Sequence, residues 1–210
     1  MNQLNTVVSP LTIPTWKRVI ELADLVEIFD PSVQLCSWQR TIDPLITTYL
    51  ESLEQSGKLQ LIETLPAEEP VFFDRLPAGP GREALIEDLS LLRDILCELM
   101  DCPAVGLRLA RIGYAMCPGW HIDRTGIRLV CTYKGPGTEW LNNQQIDRNH
   151  LGSEKLKDQN FIQAETGEMV LLKGTLWQEN EQFGSVHRSP EIEADSGLRT
   201  VVTLDPLWID

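Results

Sequence analysis

The chain has 210 residues, 42% of them apolar and 23% charged, with a formal net charge of −13. These proportions suit a soluble globular core of ordinary make-up. The acidity disfavours a nucleic-acid partner, since phosphates need a basic surface, and no long unbroken apolar run offers a membrane span. The charge is uneven: residues 1–100 carry 7 Lys+Arg against 16 Asp+Glu, a net of −9, and residues 101–210 carry 11 against 15, a net of −4. The second half is therefore better placed to receive an anionic ligand. Five scattered cysteines form no C-x-x-C pair and are expected as reduced, mostly buried thiols. The first residues, Met-Asn-Gln-Leu-Asn-Thr, show neither the basic nor the apolar part of a signal peptide, so a cytoplasmic location is expected.

Residues 1–14 are polar and punctuated by proline, and read as an irregular arm. From Thr15, Trp16, Val19, Ile20, Ala23 and Val26 recur at helical spacing until Asp30-Pro31, which predicts a helix. Residues 33–38 read as a short strand. Asp43-Pro44 has the form of an N-cap and first helical position and Gly57 that of a stop, predicting a helix over 44–56. Lys58 to Glu63 reads as a strand and 64–82 as a loop. Arg82 to Asp101 carries Leu85, Leu89, Leu92, Leu96 and Leu99 on one stripe and is the longest helical signal.

From Ala104 the helical period fades. Short β-prone runs at 105–112, 118–123, 127–133, 138–141, 168–173, 183–188 and 198–205 alternate with Gly and Pro turns. Residues 142–167 are polar and read as a long loop over one mouth. Helices first and many short strands after predict an α+β double-stranded β-helix (jelly roll) buttressed by N-terminal helices. Residues 1–103 would form the helical and mixed support and 104–210 the jelly-roll core of one compact domain.

The chemistry concentrates in Gly113–Trp140. His121 and Asp123 are separated by one residue, and on an extended segment residues i and i+2 project to the same side. A third ligand must come from elsewhere among the three histidines of the chain. His150 lies in the polar loop and reads as a solvated surface residue. His187, in Val-His-Arg-Ser-Pro, is β-prone. His121, Asp123 and His187 then make a two-histidine, one-carboxylate set with open positions, the arrangement of non-haem Fe(II) oxygenases. Twelve residues on, Arg199 lies in the strand expected over 198–205, and an arginine directed into a barrel needs an anion or an acidic partner. Cys117, four residues before His121, offers an alternative: with His121 and His187 it would complete a tetrahedral Zn(II) site for storage, sensing or transfer. Blander readings stay open. The histidines can be buried and hydrogen-bonded to Asp123 or backbone, Arg199 can pair with Asp123 or Glu168, and Trp120, Trp140 and Trp177 can be core aromatics.

His-x-Asp, a distant His and an Arg on the next strand resemble the Fe(II)/2-oxoglutarate-dependent dioxygenases. The resemblance covers about residues 105–208. It implies that Arg199 salt-bridges the far carboxylate of 2-oxoglutarate, with Tyr133, Tyr114 and Arg128 as further co-substrate contacts. It also implies oxidation of a small molecule or protein side chain. Gly135-Pro-Gly-Thr stands where those enzymes carry Gly-Gly-x-Leu. Pro-Gly-Trp-His-Ile-Asp, Thr-Tyr-Lys-Gly-Pro-Gly-Thr-x-Trp and Val-His-Arg-Ser-Pro resemble more closely an uncharacterised bacterial family of unknown function. Its members are often encoded near metallochaperone GTPases linked to zinc homeostasis.

Overall fold

The computed structural model describes residues 15–56, 59–142, 146–152, 160–178, 180, 183–192 and 197–208. The expected arm over 1–14, the Gly57 stop and parts of the loop 142–167 lie outside them. The chain begins with β1 (Thr15–Val19), a 3₁₀ helix (Leu22–Phe29) and β2 (Val33–Trp38). The helix expected from Thr15 is thus corrected to a strand and a 3₁₀ segment. β1 pairs in parallel with β2 at a sheet edge, and Leu25 and Ile28, three apart, bury the 3₁₀ face. Ile20 and Val26, which completed the helical period in sequence, stay exposed.

α1 (Pro44–Ser52) is capped by Asp43, whose carboxylate accepts from the Leu45 amide at 2.8 Å. β3 (Gln60–Pro66) and α2 (Arg82–Met100) follow. Leu85, Leu89, Leu92 and Leu96 of α2 are fully buried. Gly81 enters α2 with φ +87°, and a Cβ there would meet the Leu45 carbonyl oxygen at 2.2 Å, so only glycine serves where α1 and α2 cross.

β4 (Ala104–Ile112), β5 (Ile127–Lys134), β8 (Met169–Lys173) and β10 (Arg199–Leu207) join β1–β3 in one seven-stranded sheet of order β1-β2-β8-β5-β10-β4-β3. Every pairing except β1–β2 is antiparallel. β6 (Glu139–Trp140), β7 (Ile162–Gln163) and β9 (His187–Arg188) form a small sheet of order β7-β6-β9. The fold is an α+β double-stranded β-helix. Strands from residues 1–103 are integral to its large sheet.

Period-two alternation gives the large sheet two unlike faces. Leu107, Leu109, Leu129, Cys131, Leu171, Val202 and Leu204 pack with the α2 leucines. The opposite face carries Ala110, Val130, Val170, Leu172 and Val201 toward Trp140 of the small sheet. Trp120 and Trp140 are core aromatics and Trp177 is partly buried. Four cysteines are buried and Cys117 is exposed. No described helix is long and apolar enough to cross a membrane.

Candidate metal centre

The expected strand 118–123 is reduced to a single bridge, because Pro118-Gly119 interrupts extended pairing. His121 and His187 exchange backbone N–H···O bonds of 3.0 Å each, which brings the two rings to 4.5 Å between centroids. The Nδ1 of His121 lies 3.0 Å from the Gly119 carbonyl oxygen, and that of His187 lies 3.1 Å from the Ser185 carbonyl oxygen. A nitrogen facing a carbonyl must donate, so in a neutral ring the lone pair sits on Nε2. Both Nε2 atoms approach Asp123: His121 at 3.5 Å from Oδ1, His187 at 3.6 Å from Oδ2. The loop carrying Asp123 is itself pinned, its carbonyls accepting from the amides of Thr175 and Leu176 at 3.0 Å.

Among the described residues, His121, Asp123 and His187 form a group whose ligand atoms lie within 4.8 Å of one another. Two oriented imidazole lone pairs and a carboxylate suit a first-row divalent ion, and the carbonyls behind the rings supply the outer support such ligands usually have. The electrostatics agree. Burial pushes the Asp123 carboxyl up, but the His121 hydrogen bond and the charges of His187 and Arg128 outweigh it and hold the group well below the usual range. The hydrogen bond to Asp123 raises His121. Burial pulls His187 down to about 4, which keeps this 6%-exposed ring neutral near pH 7.

The group opens on a cavity of about 270 Å³ on the non-helical face of the large sheet, lined also by Cys117, Arg108, Arg128 and Arg199. Arg199 is 3% exposed, and burial pulls its guanidinium down to about 10 against the opposing charge of Glu139. Its Nη2 donates to Thr132 Oγ1 at 3.0 Å and Thr138 Oγ1 at 2.9 Å, and its Nε has no partner. The ion pair considered with Asp123 or Glu168 does not form. Asp123 is taken by Arg128 at 2.7 Å, and Glu168 by Arg18 at 2.7 Å.

Other expected contacts fall elsewhere. Tyr133 lies on the helix-facing side of β5, its hydroxyl donating to Asp88 at 2.6 Å, and Tyr114 is 66% exposed; neither lines the cavity. Tyr133 shares the parity of Leu129 and Cys131 on a strand, a signal that places it away from Arg128 and Thr132. Arg128 lines the cavity but commits Nε, Nη1 and Nη2 to Asp205 and Asp123. His150 sits on Asp147 at 2.6 Å, outside the three-residue group. Cys117 lines the cavity yet is not part of that group either, so the Zn(II)–thiolate arrangement finds no support in the geometry. Thr132 and Thr138, both inside Thr-Tyr-Lys-Gly-Pro-Gly-Thr-x-Trp, and Asp205 were given no role by the sequence reading, because a hydroxyl or carboxylate shows its partner only once the strands pair.

A double-stranded β-helix with a His-Asp-His group at one mouth defines the class. Its solved likenesses agree on the fold. The dioxygenase for auxin oxidation 1 from Arabidopsis thaliana, solved as a binary complex with 2-oxoglutarate, superposes with a TM-score of 0.56 at 12% identity, over 94% of this chain and 93% of that one. The dioxygenase for auxin oxidation from rice gives 0.52 at 16% identity, over 89% of this chain and 77% of that one. No curated protein matches in sequence. The chain belongs to the DUF1826 family, described as a protein of unknown function, which it matches over residues 20–205.

Proposed function

We propose that this protein is an Fe(II)/2-oxoglutarate-dependent oxygenase acting on a small molecule or a protein side chain, with no nucleic-acid partner. The observation that carries the reading is Arg199. A buried guanidinium with an unpartnered Nε, in the same cavity as a His-Asp-His group, is a costly arrangement that a carboxylate would complete.

His121, Asp123 and His187 would hold Fe(II). Bound there, the metal supplies the chemistry that couples oxidative decarboxylation of 2-oxoglutarate to oxidation of a substrate. The rest falls to the chain. Arg199 would bind the distal carboxylate through its unpartnered Nε, while Thr132 and Thr138, which accept from Nη2, fix its orientation. Val130, Val201 and Ala110 form an apolar wall that limits water beside the site. Residues 1–103 and 104–210 act as one domain of a cytoplasmic enzyme.

The test is direct. Purified protein should bind Fe(II) and turn 2-oxoglutarate into succinate, even uncoupled from substrate. Arg199→Met should weaken 2-oxoglutarate binding while retaining the metal. Wild-type protein that takes up Fe(II) without measurable 2-oxoglutarate affinity would end this reading.

A further inference from the structure

Behind the carboxylate of the candidate centre stands a second acid. Asp205, on β10, grips Arg128 of β5 with both oxygens, Nε–Oδ1 at 2.8 Å and Nη2–Oδ2 at 2.9 Å. The remaining arm of the same guanidinium reaches Oδ2 of Asp123 at 2.7 Å. Arg128 is thus shared between two carboxylates, one of which faces His121 and His187. All three members line the cavity. Sequence singled out Asp123 as a ligand and, through the resemblance, Arg128 as a co-substrate contact, and gave Asp205 no role.

We infer that Arg128 and Asp205 are positioning residues for the metal carboxylate: Asp205 holds Arg128, and Arg128 holds Oδ2 of Asp123 so that Oδ1 faces the ion. This rests on the metal reading of His121, Asp123 and His187. Charge explains why the acid is needed. A guanidinium matches a carboxylate fork to fork, and Arg128 with Asp123 as sole partner would turn to take both oxygens, competing with a divalent ion for them. Asp205 occupies the other edge of the fork and prevents that rotation. With it, the two carboxylates and one guanidinium sum to −1 beside the histidines; without it they sum to zero. Outer groups of this kind typically alter metal affinity by about ten- to hundredfold when removed.

The geometry makes a non-additive prediction. Asp205→Ala should weaken Co(II) binding, followed by titration of the visible absorption bands, by about ten- to hundredfold. Its bands should also shift as Asp123 is drawn from the ion. Adding Arg128→Met removes the competitor but also the hold on Asp123, and should recover part of the lost affinity without reaching that of wild type, since neighbours in one network do not add. Asp205→Asn, nearly isosteric, should weaken binding in the same direction and serves if the alanine variant does not fold.

An unchanged affinity in folded Asp205→Ala or Asp205→Asn overturns the inference and leaves the metal centre standing. A double variant weaker than Asp205→Ala alone also overturns it, because a purely architectural role predicts added damage. If wild type takes up no Co(II), or His121→Ala binds it as well as wild type, the metal reading falls and this inference with it.

Discussion

Arg40 and Arg199 lie on opposite faces of the large sheet, and both guanidiniums are buried. On the helix-facing side, Arg40 meets Asp88 of α2 through two bonds, the longer 2.8 Å, and donates its Nε to the Gly167 carbonyl oxygen at 3.0 Å. Tyr133 adds its hydroxyl to the same carboxylate. On the cavity side, Arg199 donates to two threonine hydroxyls, pairs with no carboxylate among the described residues, and has an unpartnered Nε. A guanidinium serving only architecture is saturated by its neighbours. One left open beside a metal-capable group is able to take an anion, which is the contrast the proposed function rests on.

The comparison can be broken most forcefully at Asp88. Asp88→Ala leaves Arg40 buried without its counter-charge and should cost about 3–5 kcal/mol in urea unfolding; a loss no larger than that of a surface substitution would remove Arg40 as the saturated reference. Lys173, on the same face and 1% exposed, is an intermediate case, bonded to the Asp30 carbonyl oxygen at 3.0 Å and stacked on Trp177. Burial pulls its ammonium down to about 8 from 10.5. Between those values the unfolded chain binds more protons, so stability rises with pH through that window, and below about 8 the full penalty is present. The unfolding free energy of wild type should therefore gain on that of Lys173→Met by up to about 3 kcal/mol as pH climbs through the window. A difference independent of pH would show that the amine is not penalised by burial.

Smaller effects sharpen the functional side. Arg199→Met should leave unfolding free energy unchanged or raised, within about 1 kcal/mol, because no ion pair is lost. The same change should weaken 2-oxoglutarate binding by about ten- to hundredfold, the loss of charged hydrogen bonds, read by calorimetry. If Arg199→Met costs as much stability as Asp88→Ala, the two arginines are alike and the contrast fails. The smallest expected change is Tyr133→Phe, about 1 kcal/mol of stability from one hydrogen bond. It should leave 2-oxoglutarate affinity untouched, since the ring lies across the sheet from the cavity. A loss of affinity would return Tyr133 to the co-substrate.

The local code was strong enough to place α2, β2, β5 and β10 and to set His121, Asp123, His187 and Arg199 as the candidates. Leucine spacing, strand alternation and the scarcity of histidine are all short-range or compositional signals. The segment from Thr15 was misread, because its apolar spacing is helical while its backbone bonds are claimed by the edge of β2, a long-range partner that propensity does not register. Tyr133 was misassigned for a related reason: adjacency to Thr132 in sequence means opposite faces on a strand.

By itself, then, the sequence determined which side chains are chemically able to meet a metal or an anion, because those identities are written residue by residue. Tertiary structure alone decided which of them meet. The bridge that sets His121 beside His187, the hydroxyls of Thr132 and Thr138 on Arg199, and the grip of Asp205 on Arg128 all join residues more than sixty positions apart. Such contacts arise only when the sheet closes, since sheet pairing and register, rather than local sequence, set which residues stand face to face.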